Sequence, residues 1–104
     1  MLAILLLILT FSIAPAQNST VLTFRFPADV TYIQVCAEIE GELEPSNEPW
    51  WVSSCWQPTR LVEDYPLRAG ALRARASLTI RTKNDETKDL HTGWVTIRLR
   101  PEEN

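Results

Sequence analysis

The chain has 104 residues, 45% of them hydrophobic and 22% charged, with a formal net charge of −3, two cysteines and one histidine. That length allows one small domain, and the mild acidity excludes nucleic acid as the main partner, since that calls for a clearly basic surface. One histidine and two cysteines are too few for a His/Cys metal centre, so neither a metal nor a cofactor is expected.

Residues 1–13 are almost wholly apolar, and Ala14-Pro15-Ala16 places small residues ahead of Gln17. An apolar run followed by a small-x-small site is the layout of a secretory signal peptide, although no Lys or Arg precedes it. A membrane anchor is the rival. Thirteen residues as a helix reach only about 20 Å, against roughly 30 Å of hydrocarbon to cross. The expectation is a signal helix at residues 1–16, cleaved to leave a single domain at 17–104 and no membrane span. The protein then works outside the cell, or in a periplasm if the host is bacterial. Asn18-Ser19-Thr20 is a formal glycosylation sequon, relevant only in a eukaryotic host.

Beyond the leader, alternation with period two dominates. Residues 21–26 set Leu22, Phe24 and Phe26 on one face. Residues 30–40 set Ile33, Val35, Ala37 and Ile39 against Tyr32, Gln34, Cys36, Glu38 and Glu40. Residues 41–49 form a loop with two prolines. A third strand runs from Trp50 to Trp56, and residues 61–67 suit an edge strand because Pro66 bars a central place. Residues 71–82 put Leu72, Ala74, Ala76, Leu78 and Ile80 inward and Arg73, Arg75 and Arg81 outward. Residues 83–90 look like a hydrophilic turn region. Residues 92–100 alternate again, with Val95, Ile97 and Leu99 inward and Trp94, Arg98 and Arg100 outward. Five or six short strands at regular spacing make an all-β fold, a small antiparallel sandwich or small barrel.

In an exported chain, Cys36 and Cys55 are expected to form one disulfide. An antiparallel hairpin that faces these two also sets Val35 against Trp56, Ala37 against Ser54 and Ile39 against Val52. It puts Glu38 opposite Ser53 and Glu40 opposite Trp51 on the wet face. One register satisfies the apolar pattern and the disulfide together, and a one-residue slip breaks both.

Two surface features carry possible function. Arg73, Arg75 and Arg98, with Arg81 and Arg100, make a basic face unless Glu38, Glu40, Glu42 and Glu44 on a neighbouring strand pair with them. Trp50 and Trp56 fall on the core side. Trp51 and Trp94 fall outside, where they suit sugar stacking or a protein hot spot, or else pack on the disulfide and on arginine. No residue is assigned to catalysis. The lone His91 sits in a turn with Asp89 two residues before it, no serine has an identifiable base partner, and a disulfide removes both thiolates. Asn84, Asp85, Glu86 and Asp89 miss the spacing of an EF-hand.

Residues 76–80 followed by Thr92-Gly93-Trp94-Val95-Thr96-Ile97 resemble the late strands of immunoglobulin variable-type domains. Cys36 with Trp50 or Trp51 downstream is similar to the early part of that pattern. Ile97 stands where that family has its second cysteine, and Val95 where it has a tyrosine. The resemblance implies an immunoglobulin- or fibronectin-like architecture and no more. The functional expectation is a binding module for an extracellular protein, using Trp51, Trp94, Arg98, Arg73 and Arg75. A glycan ligand is the alternative, and an assembly subunit or small enzyme inhibitor stands behind both.

Overall fold

The computed structural model describes residues 9–18 and 20–99. They form β1 (Ser12–Pro15), β2 (Val21–Arg25), β3 (Thr31–Glu42), β4 (Pro49–Trp56), β5 (Val62–Pro66), β6 (Ala71–Arg81), β7 (Thr87–His91) and β8 (Val95–Thr96), with no helix among the described residues. All pairing is antiparallel. One sheet runs β1-β2-β5 and the other β4-β3-β6, with β7 and β8 one after the other along the far edge of β6. Neither sheet closes into a barrel.

Both sheets contribute to one apolar core: Leu22 and Phe24 from β2, Val35, Ala37 and Ile39 from β3, and Ala74, Ala76, Leu78 and Ile80 from β6. Phe24 meets Trp56 of the opposite sheet edge-on, with ring centroids 5.2 Å apart, and Trp56 stacks on Tyr65 at 5.3 Å. The β3–β4 register is the one the disulfide and the apolar pattern demand together: Cys36 faces Cys55, Val35 faces Trp56, Ile39 faces Val52 and Glu40 faces Trp51. The disulfide is formed. It joins neighbouring strands of one sheet, whereas the immunoglobulin bond ties two sheets together.

Two bulges correct the simple alternation. β3 pairs Tyr32 with Ile80 and Gln34 with Thr79, leaving Ile33 as an extra residue. An extra residue flips the parity of everything before it, so Ile33 is exposed and Tyr32 packs on the core instead. On β6 the register steps from Arg73 to Ala71, so Leu72 is the extra residue and Ala71 is buried in its place. The Leu72 carbonyl accepts from the Ile97 and Arg98 amides at 2.8 and 3.2 Å.

Three further expectations change. Residues 83–90 are not all turn: β7 begins at Thr87 and pairs with Ser77–Arg81. The last strand is only Val95–Thr96, so its alternation stops early and Leu99 is 82% exposed rather than inward. In the apolar N-terminal segment, Ser12–Pro15 form a strand rather than a helix. They take the open edge of β2, with Ile13 in the core and Phe11 stacked on Phe26 at 5.7 Å. Residues 1–8 of the expected signal segment and Arg100 lie outside the described residues.

Tyr32 gives this core its pH dependence. Its hydroxyl donates to the Pro27 carbonyl at 2.6 Å, and its ring leans on Phe26 at 5.4 Å. Burial, and secondarily the Glu63 carboxylate, raise the phenol above its ordinary value of 10.0. The folded state therefore favours the neutral phenol. That contribution is complete below pH 10 and is lost as the pH rises through the raised value. Tyr32→Phe is expected to lose about 0.5–1.5 kcal/mol at neutral pH. Urea unfolding between pH 9 and 11.5 should then show a shallower alkaline decline in the variant than in the parent.

Candidate functional site

The wet face of the larger sheet is built by alternation. Opposite the buried residues, β3 presents Glu38 and Glu40, β6 presents Arg73 and Arg75, and β4 presents Trp51, Ser53 and Cys55. Glu40 sits opposite Arg73 and Glu38 opposite Arg75, and each arginine Nε donates to its carboxylate at 2.7 Å. Both pairs are partly exposed, so each contributes about 0.2–1 kcal/mol. Residues two apart on a strand share a face, and Trp94 uses that spacing. Its ring lies 4.0 Å from the Arg73 guanidinium and 4.5 Å from that of Arg75.

Trp94 can reach there because the edge strand breaks at residues 92–94. Thr92 bridges the gap: its amide donates to the Ala76 carbonyl and its Oγ1 accepts from the Ala76 amide, both at 2.9 Å. Three of the five sequence-derived site residues, Arg73, Arg75 and Trp94, are thus bound to one another and to two glutamates. The fourth, Arg98, donates from Nη2 to Glu44 Oε1 at 3.0 Å, tying the segment after β8 to the β3–β4 loop. Of the two alternatives, a basic face or arginines paired with glutamates of a neighbouring strand, the structure shows the pairing for Arg73, Arg75 and Arg98.

Trp51 stands apart. It is 58% exposed, and no ring or cation contact engages it among the described residues. It borders a groove of about 620 Å³ whose lining includes Glu40, Trp50, Arg73, Thr96 and Arg98. Trp51, Arg73 and Arg98 are therefore brought together. Arg75 lines a separate recess of about 370 Å³ with Cys36, Glu38 and His91, while Trp94 lines neither.

Trp50 is the member that sequence reasoning assigned to the core alone. Its indole packs over Gly41, where an added Cβ would meet the ring and lie 2.5 Å from the Gly70 carbonyl oxygen. Arg68 lies 5.1 Å from the same ring. Its Nε1 is buried without a hydrogen-bond partner among the described residues. A signal for this packing was present: the register that faces Cys36 with Cys55 also faces Gly41 with Trp50.

Among the described residues, no group of three or more His, Cys, Asp or Glu side chains is placed to hold a metal ion, and no helix is long and apolar enough to cross a membrane. Asp85 pairs with Arg81 at 3.5 Å and Asp89 accepts from Thr79 at 2.8 Å. The geometry defines an all-β protein of two antiparallel sheets with one intrasheet disulfide and a groove beside a free tryptophan. The chain matches no known protein family, no curated protein and no solved structure.

Proposed function

We propose that this chain is an exported β-sandwich of immunoglobulin- or fibronectin-like architecture that binds an extracellular protein, with Trp51 as the anchor and Arg73 and Arg98 at the flanks. The observation that carries the reading is the exposure of Trp51 on a rigid sheet, beside a groove edged by charged residues. Tryptophan and arginine are the residues most enriched at energetic centres of interfaces. Trp94 is a supporting member only, because two guanidiniums already lie over its ring. Binding rather than catalysis fits a surface whose arginines are ion-paired and whose cysteines are joined. A glycan is the second reading, favoured by the same flat, free indole with Glu40 and Arg73 at its side.

The two readings separate on Trp51→Ala. Immobilised protein should retain an extracellular protein from its host, and the variant should lose at least tenfold of that retention, as expected for a hot-spot tryptophan. Leu61→Ala, an exposed change remote from the groove lining, should keep it. Saturable quenching of tryptophan fluorescence by soluble oligosaccharides, abolished by Trp51→Ala, with no protein retained, would turn the reading to a glycan. Export has its own check: the intact mass of the protein recovered from the medium should begin at Gln17, a cut that removes β1 and leaves β2 as the outer strand of the smaller sheet.

A further inference from the structure

Each sheet has two edges, and three of the four carry the protections that discourage strand addition. β1 is four residues long and ends at Pro15, and β2, outermost once residues 1–16 are removed, is five residues long and carries Arg25; β5 holds Glu63, Asp64 and Pro66; the β7–β8 edge is broken and carries Lys88 and Asp89. The fourth edge, β4, is eight residues long and has no charged side chain. Only its first residue is a proline.

The phase of the β4 ladder follows from two observations. The Cα atoms of Cys36 and Cys55 are 4.1 Å apart, the close spacing of a pair that does not exchange backbone hydrogen bonds. The Glu42 amide, in the same phase as Cys36, points to the opposite strand and donates to the Gly70 carbonyl at 3.0 Å. Trp50, Val52, Ser54 and Trp56 therefore bond to β3. Trp51, Ser53 and Cys55 turn their N–H and C=O groups outward, and no backbone hydrogen bond outside the ladder engages them among the described residues.

We propose that a second copy of this chain pairs with this edge, β4 against β4, antiparallel about a two-fold axis at Ser53. In that register Ser53 faces Ser53 and Trp51 faces Cys55 of the second copy, so all three outward-facing residues of each copy are hydrogen-bonded. The strands meet without like-charge repulsion, since neither carries a charge. Antiparallel pairing also brings Arg60, just after β4, to the end where the second copy's Glu48 precedes it. Neither residue has an ion-pair partner within its own copy among the described residues. The product is one continuous sheet with two Trp51 side chains on the same face, about 14 Å apart at strand spacings. This goes beyond the binding reading and does not depend on it.

The test is sedimentation of the full chain from micromolar to millimolar concentration, with amide exchange followed by NMR. The mass should double as concentration rises. The Trp51, Ser53 and Cys55 amides should become protected together, while those of Val52 and Ser54 are slow throughout. Ser53→Pro removes only an outward N–H, which an edge strand tolerates, and should weaken dimerisation at least tenfold. Ser53→Lys should do the same if the proline disturbs the fold. Arg60→Glu should weaken the dimer, and adding Glu48→Arg should restore it. A monomer at every concentration would overturn the proposal. So would self-association in which those three amides keep exchanging freely, because the contact would then lie elsewhere.

Discussion

Replacing Phe24 by alanine is expected to cost about 3–5 kcal/mol, the range for deleting a buried aromatic ring. Phe24 is completely buried on the central strand of the smaller sheet. It touches three other rings, with centroids at 5.2 Å to Trp56, 6.1 Å to Phe26 and 6.5 Å to Tyr65. Trp56 lies on the other sheet, so this ring is the seam between the layers as well as a large share of the core. Its neighbours are themselves held, Trp56 by the hydrogen bond from Nε1 to Glu63 at 3.1 Å and Tyr65 by Ser54 at 2.9 Å. They will not collapse readily into the void, which places the cost toward the upper part of the range. Small domains have about 5–15 kcal/mol in total, so the variant should melt some 15–30 °C below the parent. Phe24→Leu, which keeps most of the volume, should lose much less. A loss below 1 kcal/mol for Phe24→Ala would show that the two sheets do not depend on this seam.

The second large effect belongs to the disulfide. Cys36 and Cys55 are 19 positions apart. Closing a loop of that length restricts the unfolded chain by about 3 kcal/mol in the entropy argument. The double variant Cys36→Ala/Cys55→Ala should lose close to that amount, seen as an earlier urea midpoint with an increased m-value. Its midpoint should not respond to reductant, whereas the parent's should move down to meet it. The fold should survive, because the hairpin register is also held by Val35, Ala37 and Ile39 in the core and by the Glu–Arg ladder on the other face. Identical midpoints for the oxidised and reduced parent would mean that the unfolded chain already holds this loop closed without the bridge.

How much was legible beforehand differs from strand to strand. The central hairpin was read residue by residue, because two independent constraints, the apolar face and the cysteine pair, admit one register. The pairing of Glu38 and Glu40 with Arg75 and Arg73 was legible as charge alternation on facing strands. Ile33 and Leu72 were misplaced for one physical reason. A bulge adds a residue without any mark in composition, and parity counted across it inverts. β7 was missed because Thr87-Lys88-Asp89-Leu90-His91 has one apolar member, so its pairing with β6 rests on backbone bonds rather than on burial. The site was half legible. Parity put Trp51 and Trp94 outside, but that Trp94 would lie across two guanidiniums depends on the strand break at residues 92–94, which no alternation pattern records. Trp50 lining the groove followed from its pairing with Gly41, a consequence of the cysteine register that composition alone does not suggest.

The position of the disulfide within one sheet also sets how the chain carries tension. A pull applied to its two ends passes across the Cys36–Cys55 bridge and never reaches the covalent chain between them. The stretch from Cys36 to Cys55 is thus withheld from extension, shortening the stretched length by about 60 Å at some 3.4 Å per residue. The withheld part holds nearly all of β4, including Trp51, the groove's Trp50 side and the uncharged edge. Load falls instead on β1 and β2 at one end and on β6 with β8 at the other. The segment bearing the free tryptophan is the part of the molecule most sheltered from force.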